Sequence, residues 1–252
     1  MNYGPQPQIV LPHFTKMVKT LVIANVALWI GLVLVLQGMV LEGSPIYDWF
    51  GLVPNRVIQQ FTIWQFFTYM FLHSSSVFHV LFNMLILWLF GSELEGRWGS
   101  RFFLTYYMVC GVGAALIYTV CVLVYYFITN NYLPLMAPVV GASGAVFGLL
   151  LAYGIIFGER VIYFMMIFPM KAKYFAMILG AVELLTLMNS GFSGQVANLA
   201  HLGGLVAGFL FLTGYTRWKS RSVRKSTQKR GRRLKLVVDN EKYDKDEPKY
   251  WN

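Results

Sequence analysis

The chain has 252 residues, of which 57% are apolar and 13% charged, and its formal net charge is +10. Soluble domains carry about half apolar and about a quarter charged residues. With a mean hydropathy of +0.55, this composition excludes a disordered chain and argues against a soluble globular enzyme. Two cysteines exclude a disulfide scaffold, which leaves a polytopic membrane protein.

Residues 20–41, 57–92, 102–158 and 184–216 contain no Asp, Glu, Lys or Arg. A helix that crosses a bilayer needs about 20 apolar residues. The first run predicts a span over 20–41. It is longer than a signal-peptide core, and Glu42-Gly43-Ser44-Pro45 is no small-residue cleavage site, so a cleaved leader is not expected. The loop over 42–76 is dense in aromatics (Tyr47, Trp49, Phe50, Phe61, Trp64, Phe66, Phe67) and reads as an interfacial anchor in the outer leaflet. The second span is placed at 77–96. The run 102–158 is too long for one helix, and the breaker cluster Asn130-Asn131-Tyr132-Leu133-Pro134 divides it into spans 102–128 and 143–158. Spans 174–189 and 197–215 complete the set. The predicted fold is an all-α membrane protein, a six-helix bundle with a short fourth helix. Cys110 and Cys121 lie 11 residues apart on the third span, roughly 16 Å along a helix, and are not expected to bridge.

Lys and Arg set the orientation. With the N-terminus inside, Lys16, Lys19, Arg97, Arg101, Arg160, Lys171 and Lys173 fall on the inner side and only Arg56 on the outer, so both termini are expected to be cytoplasmic. The predicted organisation is a short N-terminal segment 1–19, a bundle over 20–215 and a basic tail 216–252. The tail holds 13 of the 21 basic and 5 of the 11 acidic residues, +8 of the +10. It reads as a positive-inside anchor on anionic lipid. It has no RNA-module motif and few aromatics, so no nucleic-acid partner is expected. With no obvious Arg/Ser-rich transit peptide, a bacterial plasma membrane is the expected location.

Polar groups inside a membrane are costly and mark functional sites. Here they are His79, Asn83, Ser143, Glu183 and His201. Counting rise from the inner end of each span puts Asn83 roughly 21 Å up, Ser143 roughly 24 Å and His201 roughly 21 Å, with His79 one turn above Asn83. Four polar residues from three spans thus fall in one layer. Ser143, in Gly141-Ala142-Ser143-Gly144, opens a short span, so a helix N-terminus lies within the bilayer. Its backbone N–H groups and dipole favour a developing oxyanion. A serine needs a base to act as a nucleophile, and His201 is at matching depth. Gly204 and Gly208 share the histidine's helix face, so a neighbouring helix can approach closely. His79 and Asn83 share one face as donors. No buried Asp is placed to orient His201, so the pair reads as a Ser-His dyad. Glu183 is given no catalytic role.

Other readings exist for each signal alone. A Gly-Ala-Ser-Gly run is commonly a helix-packing motif, and an intramembrane His often serves a structural role or a proton path. His79 and His201 lack a third ligand, so no metal is expected. A transporter would need a polar path to the inner side, and span two is apolar from below Asn83 to Ser92.

The ordered motifs Phe71-Leu72-His73, His79-x-x-x-Asn83, Gly91-x-x-x-Glu95-x-x-x-Gly99, Gly141-Ala142-Ser143-Gly144 and Ala200-His201-x-x-Gly204-x-x-x-Gly208 resemble the rhomboid intramembrane serine proteases over residues 15–215. The resemblance implies a six-helix core without metal or cofactor that hydrolyses peptide bonds in or near transmembrane segments of other proteins, with water from a cavity open to the outer side. It implies Ser143 as nucleophile, His201 as base and later acid, and His79, Asn83 and the Ser143 N–H as the oxyanion hole. Glu95 and Arg97 match positions that tie helix ends together. The chain departs from the pattern at Trp64-Gln65, where Trp-Arg is common, at Phe147, where a Tyr is common, and in the six-residue step from His73 to His79, where five is common. The Gln65 change bears on loop anchoring, and the Phe147 ring can still pack on His201. A rhomboid-like protein that binds membrane clients without cutting them is the alternative.

Overall fold

The computed structural model describes residues 11–164, 168–194 and 196–231. Residues 1–10 of the predicted N-terminal segment and 232–252 of the predicted tail lie outside the described residues. Six long helices follow in order: α1 (Lys16–Val40), α2 (Val77–Trp98) and α3 (Ser100–Thr129), then α4 (Ser143–Ile156), α5 (Ala172–Gly194) and α6 (Val196–Gly231). Five are long and apolar enough to cross a membrane, α6 over Ala197–Ser222, and α4 is the shorter apolar helix. The protein is an integral, multi-pass membrane protein.

The chain divides into two compact units, Met1–Leu212 and Thr213–Asn252. In the first, α4 packs against α2, α3 and α5. Two tyrosine hydroxyls join the core through backbone carbonyls: Tyr106 Oη donates to Gly148 O at 2.8 Å and Tyr69 Oη to Gly111 O at 2.7 Å. In the second unit, the described residues continue α6 to Gly231. The expected end of the last helix at 215 is therefore too early. Residues 216–230 contain neither Gly nor Pro and are rich in Lys and Arg, which favour helix regardless of polarity.

Two further differences have local causes. A two-stranded antiparallel hairpin, β1 (Val161–Phe164) with β2 (Phe168–Lys171), interrupts the all-α pattern, pairing Val161 with Lys171. Val161-Ile162-Tyr163-Phe164 is a run of β-branched and aromatic residues, suited to strand. The hairpin's base carries an ion cluster. Lys171 and Lys173 both donate to Glu159, Lys171 at 2.7 Å, and these hydrogen bonds pull the Glu159 carboxyl down to about 2. Arg160 pairs with Glu93 on α2.

The second difference is that α1 begins at Lys16, four residues before the expected 20. Its start is fixed by Glu95 on α2. This buried carboxylate accepts from the Thr15 hydroxyl, from Met17 N and Val18 N at 2.9 Å each, and from Ser100 Oγ at 2.5 Å. One side chain thus caps α1 and holds the start of α3. Arg97 lies over the Phe157 ring at 5.9 Å. Gly99, with φ +80, makes the break between α2 and α3. Gly91 sits where an added Cβ would lie 3.2 Å from each of Leu87, Phe103 and Val18.

The 42–76 loop folds into short helices Pro45–Phe50, Pro54–Gln60 and Gln65–Thr68, followed by a turn at Tyr69–Phe71. Fully buried Gln65 pins it, accepting from Val53 N at 2.9 Å and donating to Asp48 O at 2.8 Å. The neutral amide therefore supplies loop anchoring at this position. Trp29 Nε1 ties α1 to the loop's end by donating to Ser74 O at 2.9 Å.

Replacing Glu95 with Ala strands the Met17 and Val18 N–H groups, each worth roughly 1–3 kcal/mol when buried without a partner. We expect a lowered thermal midpoint in detergent micelles, with Glu95→Gln milder because it keeps one acceptor oxygen. An unaltered midpoint for Glu95→Ala would show that this carboxylate does not hold the helix ends.

Candidate active site

The segment before Ser143 is held from both sides. Leu52 and Val139 exchange backbone hydrogen bonds at 2.9 Å, and Gly141 N donates to Tyr69 O at 2.9 Å. Gly141 has φ +126, and an added Cβ would stand 2.8 Å from His79 Nε2. Only glycine combines that backbone angle with that approach. Ser143 then opens α4. Ala142 at the N-cap offers no side-chain acceptor, so no side chain caps the helix's first N–H groups.

His201 on α6 meets this helix end. Its Nε2 is 2.7 Å from Ser143 Oγ. The Phe147 ring, one turn beyond the serine, stacks on the imidazole with centroids 4.4 Å apart and planes 11° apart. The approach of α6 to α4 depends on glycines. A Cβ on Gly204 would collide with the Gly144 carbonyl, and one on Gly208 would stand 3.3 Å from Gly148 Cα and 2.5 Å from Tyr106 Oη.

His79 on α2 lies beside the same point, with Asn83 one turn further along the helix. The Ser74 N–H donates to His79 Nδ1 at 3.2 Å, and Ser74 Oγ is 2.9 Å from the same nitrogen. A backbone N–H can only donate, so Nδ1 is bare and the proton resides on Nε2, the nitrogen that abuts Gly141. Buried Asn83 donates one Nδ2 hydrogen to His79 O at 2.8 Å. Its amide carries a second.

The structure thus brings Ser143, His201 and His79 to one place, with Gly204 and Gly208 behind them, and Asn83 lies one turn from His79 on α2. Gly91, Glu95, Arg97 and Gly99 lie together at the far end of α2. His73 is fully buried, its ring edge-on to His79 at 5.2 Å. Burial, with a smaller contribution from His79, holds the His73 imidazole down to about 3. Among the described residues, no group of three His, Cys, Asp or Glu side chains is placed to hold a metal ion.

The family model described as the Rhomboid domain matches residues 60–218, which include all of these site residues. The chain belongs to the rhomboid family. Its rhomboid relatives include the Rhomboid protease AarA of Providencia stuartii, 35% identical over 160 residues, covering 60% of this chain and 56% of that protein. RHOMBOID-like protein 1 of Arabidopsis thaliana is 32% identical over 157 residues, 62% of this chain and 35% of that protein. The Rhomboid protease GluP of Bacillus subtilis is 30% identical over 164 residues, 64% of this chain and 27% of that protein. The match therefore spans between about a quarter and just over half of these rhomboids' own lengths.

Two residues near the site were given no role from the sequence. Ser74, which sets the His79 tautomer, is one of three serines preceding α2 and carries no distinguishing signal. Glu183 stood out as an acid in an apolar span but was given no role. Its Oε2 lies 3.1 Å from His201 Nδ1.

Gly141→Ala forces both a positive φ on a Cβ residue and a collision with His79. Gly43→Ala is the control, since Gly43 has φ +74 but nothing within 4 Å of an added Cβ. We expect Gly141→Ala to cost about 1–3 kcal/mol more than Gly43→Ala in detergent unfolding. Equal losses would mean that His79 does not press against Gly141.

Proposed function

We propose that the chain is an intramembrane serine endopeptidase, and that Ser143 and His201 carry the reaction. The observation that supports this most directly is the 2.7 Å contact between Ser143 Oγ and His201 Nε2 at the uncapped start of α4. In this reading, His201 Nε2 takes the Ser143 proton as Oγ attacks the scissile carbonyl carbon. The resulting oxyanion receives hydrogen bonds from the Ser143 N–H, His79 Nε2–H and the second Asn83 Nδ2–H. The tetrahedral intermediate collapses, the C–N bond breaks, and the imidazolium gives its proton to the leaving amine. Water then attacks the acyl-serine ester. Its proton passes through His201 to Ser143 Oγ, releasing the carboxylic acid product.

The substrate class we propose is a transmembrane segment of another protein, which reaches a site built among apolar helices from within the bilayer. Both termini face the cytoplasm and the site lies towards the outer side, following the Lys and Arg asymmetry. The 42–76 aromatics sit at the outer interface, the basic tail rests on anionic lipid, and the host membrane is a bacterial plasma membrane.

A fluorophosphonate serine probe tests the nucleophile on purified protein in detergent. We expect wild type to label and Ser143→Ala and His201→Ala to remain unlabelled, with all three folded. Labelling of Ser143→Ala at the wild-type rate would remove the serine from this role. Complete silence of a folded wild type would favour a client-binding rhomboid. On a cleavable membrane substrate, Asn83→Ala should lower kcat by roughly 10- to 1000-fold, the range for loss of an oxyanion donor. An undiminished kcat would take Asn83 out of the oxyanion hole.

A further inference from the structure

We propose that Glu183 is a positioning residue for His201, so that the serine and histidine work with a third, acidic member supplied by α5; this rests on the protease reading above. The argument begins with the tautomer. His201 Nε2 faces Ser143 Oγ at 2.7 Å and can take its proton only through a free lone pair. The ring proton must then sit on Nδ1, which needs an acceptor. Glu183 Oε2 is 3.1 Å from that nitrogen. Among the described residues, neither atom has a hydrogen-bond partner elsewhere, and both are buried. Their mutual approach falls within ion-pair range.

The surroundings favour the same pairing. Glu183 sits in the middle of a 23-residue apolar helix whose other charged residue is Lys173, at its start. An acid at such a place is costly and pairs with another polar group. Its side chain and that of His201 are each 17% exposed. Phe147 covers a face of the imidazole and fixes its plane, while Glu183 fixes its rotation within that plane. During attack the Ser143 proton moves to Nε2, the Nδ1 proton stays in place, and the carboxylate faces the imidazolium without taking a proton.

The test uses the full chain in detergent micelles, with the fluorophosphonate as probe. The groups facing His201 are Glu183 from α5, Ser143 from α4 and His79 from α2, which lies within electrostatic reach. Glu183→Gln keeps the shape and removes the charge. We expect the labelling rate to fall by roughly 100-fold or more, against about 10,000-fold in kcat for the same change in a fully buried triad. A merely structural role would lower the rate without moving the proton between the ring nitrogens of His201.

Nitrogen NMR of 15N-histidine protein, with the His201 signal assigned by His201→Gln, gives a readout independent of activity. Wild type should show His201 protonated on Nδ1, and Glu183→Leu should shift the proton to Nε2. An undiminished labelling rate in folded Glu183→Gln, or an unmoved tautomer in Glu183→Leu, overturns the inference while leaving the protease reading standing. A folded wild type that labels no faster than Ser143→Ala overturns the protease reading and this role with it, whatever the tautomer.

Discussion

Helices α4 and α6 meet backbone to backbone, with Gly144 and Gly148 against Gly204 and Gly208. In a bilayer there is no hydrophobic gain in bringing two apolar helices together, so close van der Waals contact and polar links must hold them. Glycine allows the first, and Tyr106, which donates to the Gly148 carbonyl at 2.8 Å, is one of the second. The contact sets how far His201 can stand from Ser143. One extra methyl group at Gly204 would meet the Gly144 carbonyl and push the histidine's helix away from the serine's. The serine–histidine pair is spaced by main chain.

The remainder of the site is attached to that pair by loops with fixed hydrogen bonding. Tyr69 O holds Gly141, Val139 holds Leu52, and Ser74 holds His79 by Nδ1. Each bond uses backbone at one end at least, so the geometry depends little on long flexible side chains. The loop that carries Ser74 is in turn anchored by Trp29 from α1 and by buried Gln65. A chain of contacts thus runs from the first helix to the nitrogen beside Gly141.

Much of this was legible in the sequence because the membrane imposes a strong signal. Long charge-free runs gave the spans, and polar residues within them stood out against an apolar background. Ser143, His201, His79 and Asn83 were singled out as polar groups in apolar spans that share one depth. Glu183 stood out in the same way but was left without a role. Nine residues from Tyr174 place it roughly 14 Å up its span, well below the roughly 21 Å of His201. Straight-helix counting ignores tilt and the reach of two side chains, and those bring the atoms to 3.1 Å. The hairpin after α4 was missed for a different reason. Its strands are four residues each, and runs that short between helical spans leave no lasting period. The basic helix beyond residue 215 was missed because polarity was taken as the end of the helix rather than the end of its apolar part.

The ion cluster at the base of the hairpin bears on how the protein feels a charged membrane. Its three cations, Arg160, Lys171 and Lys173, face two carboxylates, Glu93 and Glu159, in direct ion pairs. In the folded state this connection presents a net charge of about one, whatever its Lys and Arg content during insertion. A nearly neutral hairpin exerts little pull on lipid headgroups, because surface attraction scales at about 1 kcal/mol per uncompensated cation. The stretch from Arg217 to Lys235 has no acid within it. The connection between α4 and α5 is therefore electrically quiet, in contrast to that acid-free stretch.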